Sequence, residues 1–227
     1  MSVKRTTIVL FDVDGTLLSC GGAGRAAMRS AANALLGRED VFDFRFDGLT
    51  DYVIARRALV AAGREPSPAA LDALIDRYLE SLDPALERAP AFRVLPGVTS
   101  LLDALQGRGA LVGLGTGNVE RGARAKLARA GLAERFAFGG FGCDHEERAK
   151  LLEAGARRGR ALAAGGACQV VVVGDTPHDV TAARAIGARV VAVATGRHDE
   201  SALEGAAPDA VLSNLEHTRA LDAILAA

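Results

Sequence analysis

No apolar run in this sequence approaches the roughly 20 residues that a membrane-spanning helix requires; the longest clean run, around Val170 to Val173, has the length of a strand. An excess of charge is also missing. Twenty-seven basic residues face 28 acidic ones, for a formal net charge of -1, so no broad field attracts nucleic acid or an anionic membrane. Arg157, Arg158 and Arg160 do cluster, but without interleaved aromatics they read as a solvated helix face. Cysteine is scarce: Cys20, Cys143 and Cys168 are odd in number, far apart and without a CxxC pair. That excludes a disulfide framework or a thiolate zinc centre and predicts reduced thiols in a cytoplasmic protein. His145, His178, His198 and His217 show no metal-ligand spacing. Lys4 and Arg5 precede an apolar stretch, as in a secretion signal, yet Asp12 and Asp14 end that stretch, so a strand is expected there. The expected partner is a small molecule, with no nucleic acid and no membrane, and the expected assembly is a monomer or a homodimer.

What is present is a repeated pattern. Thr6 to Phe11 (TTIVLF) is apolar and β-branched without alternation, as a strand buried on both faces of a parallel sheet would be. Similar runs occur at Ala110 to Leu114, Gln169 to Val173, Arg189 to Ala194 and, weakly, Asp209 to Leu212. Helix-like segments follow most of them, marked by Thr176-Pro177 at a start and by Gly131 and Gly187 at stops. The alternation predicts an α/β fold with a doubly wound, mostly parallel, Rossmann-like sheet, whose ligands sit beyond the carboxyl ends of the strands. Between Ser19 and Phe92 the pattern changes to helical segments, about Arg25 to Leu36, Asp51 to Ala62 and Ala69 to Leu82. This predicts a helical insertion at 19–92 within a core made of 1–18 and 93–227, re-entered after Leu95-Pro96-Gly97.

The chemistry is concentrated where strands end. Asp12-Val13-Asp14-Gly15-Thr16 follows the first strand, with two carboxylates one residue apart. An ionised carboxylate can attack phosphorus while a protonated one donates to the departing oxygen. Gly15 permits backbone angles closed to other residues, and Thr16 offers a hydroxyl and an N–H to a phosphoryl oxygen. Gly113, Gly115 and Gly117 could be taken for a dinucleotide loop, but GxGxxG spacing would put its third glycine at Asn118. Val170 to Val173 leads into Gly174-Asp175-Thr176-Pro177-His178-Asp179, adding oxygen donors of the kind magnesium selects.

On FDVDGTLL and GDTPHD the chain resembles, along its whole length, the haloacid dehalogenase superfamily, whose phosphatases open on DxDGT and carry a later GDxxxD. The resemblance implies a magnesium-dependent phosphatase acting on a small phosphorylated metabolite. Asp12 becomes phosphorylated, Asp14 serves as acid and base, and the Asp14 main-chain carbonyl joins Asp12, Asp175 and the supporting Asp179 around Mg2+. It also implies that Thr116 binds a phosphoryl oxygen, with Gly117 and Asn118 in the same turn. The family's basic residue is a Lys before Pro in many relatives, a pair absent here; the register points to Arg148, with Lys150, Lys126 and Arg121 as alternatives. The insertion corresponds to a small helical cap that closes over the site and selects the substrate. Gly48-Leu49-Thr50-Asp51 is similar to a segment of phosphoglycolate phosphatase-like members, so Thr50 is a candidate substrate contact and also a candidate helix N-cap. Arg25 is a candidate for a substrate carboxylate. Three other readings are a dehalogenase, which Asp14 argues against, a phosphosugar mutase, and a catalytically silent binding module.

Overall fold

A computed structural model describes residues 5–38, 40–163, 165–216 and 219–226; His217 and Lys4 lie outside them. In chain order the elements are β1 (Thr6–Phe11), β2 (Leu18–Cys20), α1 (Ala23–Leu36), α2 (Asp51–Ala61), α3 (Pro68–Glu87), β3 (Phe92–Val94), α4 (Val98–Gly107), β4 (Leu111–Gly115) and α5 (Glu120–Arg129). There follow β5 (Gly139–Gly140), α6 (Arg148–Leu162), β6 (Cys168–Gly174), α7 (Pro177–Ala185), β7 (Arg189–Val193), α8 (Glu200–Glu204), β8 (Ala210–Leu212) and α9 (Ala220–Leu225).

Six strands form one sheet in the order β5-β4-β1-β6-β7-β8, and every pairing is parallel. The side chains of its central strands alternate between two apolar layers. Val9 and Phe11, Val171 and Val173, and Val191 and Val193 face one layer. Ile8 and Leu10, Val170 and Val172, and Val190 and Ala192 face the other. Helices cover both faces, so the period of two is invisible as hydropathy and each strand reads as a continuous apolar run. The chain winds outward from β1 through β4 to β5, then returns to β6 on the other side of β1 and winds out again. The reversal lies between β1 and β6, and there the carboxyl ends of neighbouring strands open a crevice. Asp12 follows one of these strands and Asp175 the other.

The helical insertion leaves and returns through an antiparallel ribbon in which Leu18 pairs with Val94 and Cys20 with Phe92. The boundaries 19 and 92 expected for the insertion fall inside this ribbon. Within the insertion Ala23, Ala27 and Ala31 of α1 are buried at helical spacing, as are Leu71, Leu74, Ile75, Tyr78 and Leu82 of α3, so the small side of one helix seats the large side of the other. The cysteines are free thiols. Among the described residues no helix is long and apolar enough to cross a membrane.

Candidate active site

A cavity of about 570 Å³ lies between the carboxyl edge of the sheet and the helical insertion, lined among others by Asp12, Asp14, Thr116, Arg148 and Asp175 from the core and by Leu49, Asp51 and Tyr78 from the insertion. Its floor holds two groups of charges. In the first, one carboxylate oxygen from each of Asp12, Asp175 and Asp179 lies within 4.8 Å of the others, and all three residues are buried. Arg148, itself buried, closes this group: Nη2 is 3.0 Å from Asp12 Oδ2 and 2.6 Å from Asp179 Oδ1, while Nε donates an aligned hydrogen bond of 2.8 Å to Asp179. Burial, with the neighbouring charge of Asp179, pushes Asp12 up to about 6 against the pull of Arg148 and a hydrogen bond with Thr116. Burial and the charges of Asp12 and Asp179 push Asp175 well above the usual carboxylate range. Two buried acids raised together, with oxygen donors converging, fit a hard divalent cation, which would relieve both.

The second group belongs to Asp14. Its carboxylate is two-fifths exposed to the cavity, and Oδ2 accepts from Lys126 Nζ at 2.6 Å and from Asn118 Nδ2 at 2.8 Å. Asn118 in turn accepts from Lys126 at 2.6 Å and donates to Thr116 Oγ1 at 2.8 Å. Burial raises the Asp14 carboxyl, but the charge and hydrogen bond of Lys126 and the bond from Asn118 outweigh it and hold it below the usual range. Two aspartates separated by one residue thus sit in opposite environments, Asp12 raised and Asp14 lowered; a cation beside Asp12 favours its carboxylate and an anionic ligand beside Asp14 favours its acid, so a bound cation and phosphate would reverse both shifts.

Local structure explains the placement. Gly15 has φ +85°, and a methyl group there, or at Gly196 after β7, would overlap the Asp175 carboxylate. Thr16, expected to face a phosphoryl oxygen, instead donates its hydroxyl to Asp175 Oδ1 at 3.0 Å, which aims that carboxylate at Asp12. Thr176 is the N-cap of α7 in a capping box with Asp179, so Asp179 is fixed by its own helix and by Arg148, in keeping with a supporting role. Of the candidate cations, Arg148 is the one brought to Asp12. Lys150 pairs with Glu147 at 2.9 Å and Arg121 with Asp76 at 3.1 Å, both on the exposed surface.

The family model for haloacid dehalogenase-like hydrolases matches residues 6–187, which take in the ends of β1, β4 and β6 with Asp12, Asp14, Thr116, Asp175 and Asp179. The chain belongs to this family. The hydrolase is 33% identical over 212 residues to a phosphoglycolate phosphatase of Synechococcus elongatus, covering 90% of this chain and 91% of that one. It is 30% identical over 198 residues to a phosphoglycolate phosphatase of Rhodospirillum rubrum, covering 83% and 79%. In fold it is similar to CbbY from Rhodobacter sphaeroides, solved in complex with phosphate, with a TM-score of 0.71 at 18% identity over 96% of this chain and 100% of that one.

The structure also decides between the alternatives open for several other residues of the hydrolase. Thr50 is not among the cavity's lining residues. It is the N-cap of α2, accepting from Val53 N–H at 3.3 Å, and its hydroxyl reaches the Glu146 carbonyl at 3.5 Å, so its polar capacity is used inside the protein. Arg25 lines the cavity with its guanidinium already engaged: it donates to the carbonyls of Phe42 and Phe44 at 2.6 and 3.0 Å and stacks over Phe46. Gly117 leaves room for the Leu49 carbonyl of the insertion to approach, and Gly113 and Gly115 lie inside β4 against Phe138 and Leu152 rather than in a nucleotide loop. Lys126 as the partner of Asp14, and Asp51 as acceptor of the Val119 N–H at 2.9 Å, went unread. A signal for the first existed: Lys126 lies among Ala123, Leu127 and Ala130, where the stripe of α5 calls for apolar residues.

Proposed function

We propose that this phosphatase hydrolyses a small phosphomonoester of the phosphoglycolate type through an aspartyl-phosphate on Asp12, with Asp14 as acid and base and Mg2+ as cofactor. The observation that carries the reading is the convergence, at the reversal of strand order, of Asp12 with Asp175 and Arg148 and of Asp14 in the same cavity. Asp12 lies beside Thr116 and Arg148, and Asp14 is turned to Lys126 and Asn118. The relatives named phosphoglycolate phosphatase support the substrate class.

Asp12, Asp175 and the Asp14 carbonyl would hold Mg2+, with Asp179 behind them. When bound, the ion lowers the repulsion between the Asp12 carboxylate and the phosphate. In the first step an Asp12 oxygen bonds to phosphorus, the ester P–O bond breaks, and the departing alkoxide takes a proton from Asp14. Asp14 is ionised at rest beside Lys126; the approach of an anionic phosphate favours its protonation. In the second step Asp14, now ionised, takes a proton from water, the water oxygen bonds to phosphorus, and the Asp12–phosphorus bond breaks to release phosphate. Arg148 stays against Asp12 and neutralises the charge gathering on the phosphoryl oxygens.

The test separates the two aspartates. Asp12→Asn forms no phosphoenzyme with any substrate. Asp14→Asn stalls on an alkyl phosphate but, given an aryl phosphate whose leaving group needs no proton, shows a burst near one equivalent and slow release, with phosphate on the Asp12 peptide by mass spectrometry. A burst in Asp12→Asn, or label on another residue, removes the assignment. Accumulation of a transferred sugar phosphate in place of inorganic phosphate would point to a mutase.

A further inference from the structure

Lys126 is a core residue that projects from α5 into the cavity shared with the helical insertion, and its side chain is only 4% exposed. Its neighbours on the far side come from all three helices of the insertion. Its Nζ would lie 3.5 Å from a methyl group at Gly24 of α1, it feels the charge of Asp51 on α2, and the phenol of Tyr78 on α3 shares the same cavity. An ammonium has three N–H donors. Asp14 and Asn118 take two of them, and the third has no acceptor among the described residues. A desolvated cation with a spare donor therefore faces the chamber into which the leaving alcohol must go.

Distance connects this donor to the reaction. If Asp14 hands its proton to the ester oxygen across a hydrogen bond of roughly 2.7 Å, that oxygen lies within roughly 7 Å of Nζ, because Lys126 holds the same carboxylate. A carboxylate one carbon beyond the ester oxygen falls within reach of the spare N–H. The other cations at the cavity are less suited. Arg148 is held by Asp12 and Asp179, Arg25 is committed to two carbonyls, Arg93 is exposed and donates to the Ala91 carbonyl, Arg197 is exposed and 3.8 Å from Asp47, and Arg45 sits in solvent on the loop before α2. We propose that Lys126 is the specificity residue of this site: its ammonium binds an anionic group carried on the leaving alcohol next to the ester oxygen, so that the phosphatase prefers phosphomonoesters of short 2-hydroxy carboxylates over neutral alkyl phosphates. The inference rests on the phosphatase reading above and adds to it which residue reads the leaving group.

The test compares 2-phosphoglycolate with 2-hydroxyethyl phosphate, esters of matched length whose alcohols differ in bearing a carboxylate or a neutral hydroxymethyl group. The ratio of their kcat/KM values is the readout. Lys126→Met should lower this ratio at least 30-fold, chiefly by raising KM for 2-phosphoglycolate, whereas Arg45→Met leaves the ratio in place. Equal losses on both esters would mean that Lys126 acts only through Asp14 and would overturn the proposal, as would loss of the preference in Arg45→Met instead. A second measurement needs no substitution in the site. The sequence contains three lysines, Lys4, Lys126 and Lys150, so their ammonium groups are few enough to resolve by 15N NMR. With inorganic phosphate present, glycolate should shift the Lys126 signal and ethylene glycol should not. An unmoved Lys126 signal overturns the proposal even if the methionine variant does not fold. Absence of turnover on either ester by the wild type, or turnover that survives in Asp12→Asn, would count against the phosphatase reading, and the NMR result would still decide Lys126.

Discussion

Arg148 reaches Asp12 across 136 positions of sequence, and its value depends on what surrounds it there. Burial disfavours its charge, yet Asp179 and Asp12 hold it firmly protonated. A cation fixed in a dry site acts on developing charge without reorganising. Arg148→Ala should lower kcat by about 100-fold or more. It should also destabilise the fold by about 3 kcal/mol, because Asp179 is left buried with its charge unpaired. Lys150→Ala, on the exposed side of the same helix, should stay near wild type in both. Steady-state kinetics and urea unfolding check the pair, and a crippled Lys150→Ala beside a healthy Arg148→Ala would show that the register of this cation is two residues off. Arg148 was readable because the motif register points to it; the partnership of Lys126 with Asp14 was not, since 112 residues separate them and neither the turn after β1 nor the helical pattern of α5 says anything of the other.

The amino end of α2 ties the insertion to the core. Asp51 N–H donates to the Gly117 carbonyl at 2.9 Å, Asp51 Oδ2 accepts from Val119 N–H, and Arg56 of the same helix bonds Glu146 just before α6, with Nε at 3.1 Å. His178, inside the GDTPHD motif, packs its ring where a side chain at Gly48 would stand, so its place is in the seam between the two parts. Burial pushes the Asp51 carboxyl up to about 6, against the pull of Lys126 and the Val119 N–H. A raised acid binds its proton more tightly in the folded state, so this contribution is complete below about pH 4 and is lost as pH rises through about 6. Asp51→Asn cannot ionise and keeps an oxygen for Val119. Between pH 5 and 7.5 it should therefore lose less stability than wild type, by about 1.4 kcal/mol. Urea unfolding at the two pH values measures this, and coincident pH dependences would show that Asp51 carries no such linkage. Sequence pattern placed α2 to within a residue of its observed span; its docking was out of reach because Thr50 and Asp51 have the same appearance in a free N-cap as in a seam.

At the scale of the whole molecule, the two parts enclose a cavity whose floor carries three buried carboxylates and one arginine. The excess of negative charge is a standing cost in the cation-free protein, visible in the raised Asp12 and Asp175. Binding of a divalent cation to the folded state alone stabilises it by about 2.7 kcal/mol at a hundredfold excess over Kd. The melting temperature at pH 7.5 should therefore be several degrees higher in Mg2+ than in chelator, and Asp175→Asn should remove most of that difference. Scanning calorimetry reads it directly; an equal Mg2+ response in the variant would move the cation elsewhere.

Five strands of the main sheet, the helices of the insertion and the two acidic motifs were set by the sequence itself, because each is a local matter of apolar runs, helical spacing and residues that follow a strand; β2, β3 and β5 are short and carry no such run. Gly15 and Thr16 could be read as special for the same reason, although the partner of Thr16 could not. Tertiary structure alone decided the allocation of charge. The same fold brings Asp12 to Arg148 and Asp14 to Lys126, turns Thr16 to Asp175 and ties Arg25 to two carbonyls of the insertion. Carboxylate and cation attract one another whatever their sequence separation, so which pairs form is fixed by the burial and distance that only the folded chain supplies.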